Sequence, residues 1–99
     1  MTDFAKAAPA HTVDRSGTIT AGLTAQTLMP LNAGRSGFWL QNQSIGDLWI
    51  SEVGTAAATQ PSLKVAAGAL YESPMTGCPI KAISIYGATT AQAFACREW

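Results

Sequence analysis

Short runs of β-branched and aromatic residues recur along most of this chain, separated by Gly, Pro, Asn or Asp at a spacing of roughly ten residues. The runs favour strands, and the residues between them favour turns. This spacing is typical of a β-sandwich or barrel rather than of βαβ units, which need a helix between successive strands. The predicted strands cover residues 17–20, 25–31, 37–43, 47–53, 62–65, 70–73, 80–86 and 91–98.

The fold class predicted from these runs is all-β. We expect one compact antiparallel β-sandwich, jelly-roll-like, with about eight short strands and an extended N-terminal arm. A chain of 99 residues, 47% of them hydrophobic, is long enough to form one hydrophobic core without disulfides. It is too short to form two such cores. Residues 55–59 form the one candidate helical turn, and their alanines could equally lie in a loop.

The two predicted regions of the chain are the arm, residues 1–14, and the sandwich domain, residues 15–99. The arm is rich in alanine, has no sustained apolar period and is interrupted by Pro9, so we expect it to order only against a neighbour. It lacks the apolar run of a signal peptide, and no part of the chain has the apolar stretch of a membrane span.

The alternation of apolar and polar residues along a strand predicts which face of the strand is buried. Pairing Leu40 with Leu48 in a hairpin would place Trp39 opposite Trp49 on the other face. A slip of one residue would turn the apolar row toward water, so we expect a well-specified register. The apolar row of residues 37–51 occupies even positions, namely Phe38, Leu40, Leu48 and Ile50.

A second hairpin is predicted at the C-terminal end of the chain. Ile83 and Ile85 are odd-numbered, whereas Phe94 and Cys96 are even-numbered, so the connecting loop should hold an even number of residues. A loop over residues 87–90 pairs Ile83 with Phe94.

The charge balance argues against two classes of partner. Six basic and six acidic residues give a net charge of zero, so we expect neither a nucleic-acid surface nor a membrane-binding patch. Only 12% of the residues are charged. Because weakly charged surfaces tend to associate, we expect part of this surface to be buried against copies of the chain or a partner.

No catalytic, cofactor or metal site is predicted. His11 is the single histidine and lies in the arm, without a spacing that assembles a catalytic triad. Zinc sites need four Cys or His ligands, and the chain has three such residues, including Cys78 and Cys96, which we interpret as free thiols. Four acidic residues on different strands and loops are interpreted as solvated, namely Asp47, Glu52, Glu72 and Glu98.

The tryptophans admit two interpretations. Trp39 and Trp49 are either covered within the protein or anchor an interface, where tryptophan is enriched. A small carbohydrate-binding sandwich with exposed aromatic platforms is the rival hypothesis from another class. Trp99 is expected to tie down the terminal strand. The residues predicted for an interface are Phe4, Pro9, Trp39, Trp49 and Trp99.

Five segments of residues 16–99 form a pattern of strands and turns that covers about four-fifths of the chain. They are SGTIT, TAQTLMPLNAGRSGFWLQNQSIGDLWIS, GTAA, PSLKVAAGALYE and AISIYGATTAQAFACREW. In this pattern, residues 16–99 resemble small proteins encoded among the structural genes of tailed bacteriophages. Asn32 and Arg35 match its first turn, where they are expected to set the entry into the strand at Phe38 rather than bind a ligand.

This resemblance implies a non-enzymatic β-sandwich component of the virion, made in the bacterial cytoplasm. The role we expect first is capsid decoration, in which a cement protein binds the major capsid protein and stabilises the shell. A neck, tail or fibre accessory or adaptor is the alternative role. Because three-fold and quasi-three-fold capsid positions favour cyclic assemblies, we expect a homo-oligomer, with a trimer preferred.

Overall fold

The computed structural model describes residues 12–99, which form an all-β fold without a helix. Each of the eight predicted strands has a counterpart, and residues 55–59 form a loop. One additional strand, β1, falls within the range predicted as the arm. The nine strands are β1 (Val13–Asp14), β2 (Gly17–Thr18), β3 (Gln26–Met29), β4 (Phe38–Asn42), β5 (Leu48–Ser51), β6 (Leu63–Val65), β7 (Leu70–Glu72), β8 (Ile83–Gly87) and β9 (Ala93–Glu98).

Two antiparallel sheets make up the sandwich. The first sheet has the order β1-β9-β4-β7, with β2 also pairing with β9, and the second has the order β3-β8-β5-β6. The pairs β2·β9, β3·β8, β4·β7 and β5·β6 are nested, as in one long hairpin rolled around a core. This nesting is the strand order of a jelly roll, so the predicted fold class is confirmed.

The predicted hairpin over residues 37–51 is wrong, because β4 and β5 lie in different sheets. Leu40 lies opposite Cys96 of β9 and Tyr71 of β7, whereas Leu48 lies opposite Gly87 of β8. Alternation specifies which face a strand buries but not which strand lies beside it. In the sandwich the inner face of each strand packs against the opposite sheet, so both apolar rows are buried although β4 and β5 are not paired.

The predicted C-terminal hairpin is wrong for the same reason. Ile83 lies in β8 of the second sheet, opposite Met29. Phe94 lies in β9 of the first sheet, opposite Asn42 and Gly17. The loop between β8 and β9 therefore crosses from one sheet to the other instead of closing a two-stranded turn.

The predicted burial of both apolar rows is confirmed. Every residue that alternation assigned to the inner faces is buried between the sheets. The core consists of Ile19, Leu28, Met29, Phe38, Leu40, Leu48, Ile50, Val65, Ile83, Ile85, Phe94 and Cys96.

The loops divide between the two ends of the sandwich. The long-loop end carries residues 30–37, 52–62 and 73–82, and it also holds Val13 and Trp99, because Val13 pairs with the last residue of β9. The short-loop end carries the loops over residues 19–25, 43–47, 66–69 and 88–92.

The buried Asn42 side chain joins the two sheets at the short-loop end. Its Nδ2 donates to the carbonyl oxygens of Val65 at 2.9 Å and Gly46 at 2.7 Å. Gln92 donates to the carbonyl oxygen of Asp47 at 3.1 Å. A Cβ atom at Gly87 would collide with the Gln92 side chain, so glycine is required there.

Candidate functional site

The Glu98 carboxylate is a buried charge that accepts three side-chain hydrogen bonds. Glu98 ends β9 and is fully buried at the long-loop end. Its Oε1 accepts hydrogen bonds from Arg35 Nε at 2.8 Å and Asn32 Nδ2 at 3.1 Å. Its Oε2 accepts one from Arg15 Nε at 2.7 Å. Two arginines and an amide thus compensate one buried negative charge.

Arg35 extends this cluster into two loops. Its Nη1 atom donates to the carbonyl oxygens of Pro79 at 2.6 Å and Lys81 at 3.0 Å, and its Nη2 atom donates to that of Pro30 at 2.7 Å. The guanidinium therefore joins loops 30–37 and 73–82 to the end of β9. All of these partners are internal, so the cluster is a structural clamp and offers no open ligand site.

The clamp corrects one sequence prediction and explains another. Glu98 was expected to be solvated, but it is buried and paired. Glu98 lies two residues after Cys96 and four after Phe94, so the alternation of β9 predicts that its side chain faces the core, as theirs do. Asn32 accepts a hydrogen bond from the Gly34 amide at 3.0 Å, and with Arg35 it shapes the turn that enters β4.

The clamp makes stability depend on acid pH. Burial by itself raises the pKa of Glu98, but hydrogen bonds from Arg35, Asn32 and Arg15 outweigh it and hold that pKa below its ordinary value. The unfolded chain then binds more protons, so the stabilisation is present above the unfolded pKa and is lost as pH falls through the folded pKa. We expect denaturant midpoints to fall between about pH 6 and about pH 3. The Glu98→Gln variant should show a flatter dependence, and equal slopes for the two proteins would contradict this role.

Trp39 and Trp49 lie on opposite outer faces of the sandwich, so their predicted juxtaposition is wrong. Trp39 projects from the first sheet, and Trp49 projects from the second between Lys64 and Tyr86. Both side chains are half-buried. No single platform can therefore include both indoles.

Trp99 closes the first sheet, in agreement with its predicted tethering role. Its amide donates to the Gly37 carbonyl at 3.0 Å, and its carbonyl accepts from the amides of Ser36 at 2.6 Å and Gly37 at 3.1 Å. A Cβ atom at Gly37 would lie 2.7 Å from the indole, so the ring packs directly on the glycine. The other two residues predicted for an interface, Phe4 and Pro9, lie outside the described residues.

Arg97 links two of the tryptophans, which the sequence analysis did not anticipate. Its guanidinium carbon lies 5.4 Å from the ring centroids of both Trp39 and Trp99. This cation–π arrangement follows from the register, because Arg97 and Trp39 are direct cross-strand neighbours on the outer face. Glu72 of β7 is the neighbour of Trp39 on the other side.

A shallow cleft opens on the β7 side of Trp39. Its volume is about 260 Å³, and its lining consists of Trp39, Gln41, Leu70 and Glu72. Gln41 and Leu70 are cross-strand neighbours one step along the same outer face. We call this feature the Trp39 cleft.

Exposed hydrophobic side chains gather at the long-loop end. Met75 and Trp99 line a second cleft of about 250 Å³ together with residues 36–37 and 73–74. The opposite end exposes Leu23 and Ile45. We define the apolar end by Leu31 (65% exposed), Val53 (73%), Met75 (97%) and Ile80 (43%).

Within residues 12–99, the acidic side chains other than Glu98 are dispersed over different elements. Asp47 and Glu72 lie on different elements, and the Glu52 carboxylate accepts a hydrogen bond from Tyr71 at 3.0 Å. Burial, aided by Glu52, raises the pKa of Tyr71 to about 12, so the phenol stays protonated. Within residues 12–99, no group of three or more His, Cys, Asp or Glu side chains could hold a metal ion.

Both cysteines are free thiols, as interpreted from the sequence. Burial raises the pKa of Cys96 to about 12, so this thiol is protonated at neutral pH and serves as a small apolar core residue. Cys78 is half-buried and packs against the same core.

Over residues 12–99, no helix is long and apolar enough to cross a membrane. No family model, curated protein or solved structure matches this chain.

Proposed function

We propose that this protein is a non-enzymatic structural component of a tailed-phage virion, with capsid decoration as its first role. In this role it binds the major capsid protein and stabilises the shell by burying apolar surface across subunit junctions. The sequence resemblance suggests the virion, and the jelly roll is an architecture that capsid domains use. Binding to a capsid shell requires a contact surface that the fold holds in place.

The apolar end is the observation that carries the proposal. Four large hydrophobic side chains are exposed there, three of them on the two loops that the Arg35–Glu98 clamp joins and the fourth, Val53, on the loop over residues 52–62. Exposed apolar groups on a firmly held surface are typical of protein contacts, because little conformational entropy is lost on binding. The described chain also begins at this end, because β1 is paired to the end of β9.

Immunogold electron microscopy of particles from the phage that encodes the chain tests the proposal. Labelling of heads by an antibody to this protein supports decoration, whereas labelling of tails or necks supports the adaptor alternative. Absence of the protein from purified particles by mass spectrometry contradicts any virion role.

Attachment should weaken when the apolar end is made polar. We expect Met75→Ser combined with Val53→Ser to fold normally but to reduce occupancy on particles, because both side chains are exposed and contribute little to the core. Leu23→Ser at the opposite end is the matched control. Equal occupancy of the unmodified protein, the double variant and the control on particles would show that the apolar end does not contact the capsid.

The N-terminal segment and the oligomer are tested separately. Deletion of residues 1–11 leaves β1 intact and is expected to preserve folding while lowering particle occupancy.

Light scattering of the intact chain is expected to give three times the 10.3 kDa chain mass. A strict monomer would contradict the trimer and leave a monomeric decoration or adaptor protein.

A further inference from the structure

We propose that the Trp39 cleft binds one sugar ring of a saccharide, a function beyond the virion role. The cleft has one aromatic wall, one apolar side chain and two polar side chains at adjacent cross-strand positions of β4 and β7. It lies on the outer face of the first sheet, where Glu72 directly precedes the loop over residues 73–82.

The donors and acceptors of the cleft match a sugar ring. One face of a hexose presents C–H groups that pack on an indole, while its hydroxyls both donate and accept hydrogen bonds. The Glu72 carboxylate offers two acceptor oxygens, and the Gln41 amide offers its NH₂ donors, while its oxygen accepts a hydrogen bond from Gln43 at 3.2 Å. Leu70 is exposed and extends the apolar surface of the cleft.

Arg97 favours a neutral ligand over a cationic one. Its guanidinium lies 5.4 Å from the Trp39 ring centroid, so the ring already contacts one positive charge. A second cation would be repelled by Arg97, whereas an uncharged sugar would not. The same contact restrains the indole and so lowers the entropy cost of binding.

Trp49 is a natural control on the other sheet. Its cross-strand neighbours are Lys64 and Tyr86, so it lacks the carboxylate and amide that flank Trp39. A ligand that needed only an exposed indole would use both tryptophans, whereas a sugar held by Glu72 and Gln41 should select Trp39.

The test follows the indole N–H signals of the full chain in ¹H–¹⁵N NMR spectra during titration with trisaccharides. The probes are oligomers of glucose, galactose, mannose and N-acetylglucosamine. We expect at least one probe to shift the Trp39 signal saturably while the Trp49 signal stays in place. Glu72→Gln should weaken binding about tenfold, because it removes a hydrogen bond to a charged group. Trp39→Ala, followed through the backbone amide signals of Gln41 and Glu72, should abolish binding, and Trp49→Ala should leave it unchanged.

Three results would overturn the saccharide site. They are the absence of any saturable shift with every probe, retention of binding in Trp39→Ala, and a Trp39 shift caused by protein concentration alone or by a tri-arginine peptide. The last would assign the face to a second copy or to a cationic partner. Because the titration uses purified protein, its outcome is independent of whether the protein is found on virions.

Discussion

Replacing Arg35 by methionine is expected to lower the free energy of unfolding by about 3–5 kcal/mol. The substitution leaves the Glu98 carboxylate buried with one fewer partner and removes the hydrogen bonds to the carbonyls of Pro30, Pro79 and Lys81. Unpaired buried polar groups keep their full desolvation cost, so this loss should exceed that of an ordinary surface change. Denaturant titration monitored by tryptophan fluorescence measures it.

Arg15→Met is the matched control for Arg35. Arg15 contacts the same carboxylate, but its side chain is 30% exposed, so the expected loss is about 1 kcal/mol or less. The double variant Arg35→Met with Glu98→Leu should recover part of the loss, because it removes the buried carboxylate that Arg35 no longer compensates. A loss below about 1 kcal/mol for Arg35→Met would contradict the clamp.

Leu40→Ala is expected to destabilise the fold by about 2–5 kcal/mol. Leu40 lies at the centre of the first sheet, opposite Cys96 and Tyr71, and its side chain is fully buried. Truncation removes apolar contacts and leaves a cavity between the two sheets. The cavity persists because a close-packed core relaxes only partly around it. Equilibrium unfolding in urea gives the value.

Leu70→Ala provides the comparison on the same sheet. Leu70 is 56% exposed on the outer face, so its truncation should cost much less than that of Leu40. Similar losses for the two variants would mean that the inner and outer faces of the first sheet are assigned the wrong way round. The comparison tests the alternation argument directly, since Leu40 and Leu70 differ in face rather than in side-chain chemistry.

Part of the candidate site was predictable and part was not. The tethering of Trp99 followed from a terminal strand that ends in tryptophan, and the inward position of Glu98 was available from the parity of β9. The Trp39 cleft depends on Gln41 and Glu72 being neighbours across β4 and β7, and the Arg97 contact depends on pairing between β4 and β9. These pairings join residues far apart in the chain.

The sequence by itself determined the strands and the face that each one buries, because side-chain alternation and turn residues are local properties. It placed Phe38, Leu40, Ile83 and Phe94 in the core without any knowledge of their neighbours. Only the tertiary structure decided which strands lie side by side. The predicted hairpins would also have placed these apolar rows on one buried face, so alternation alone does not distinguish them from the pairing in the jelly roll. Which strands pair is therefore decided by the free energy of burying the whole hydrophobic core between the two sheets.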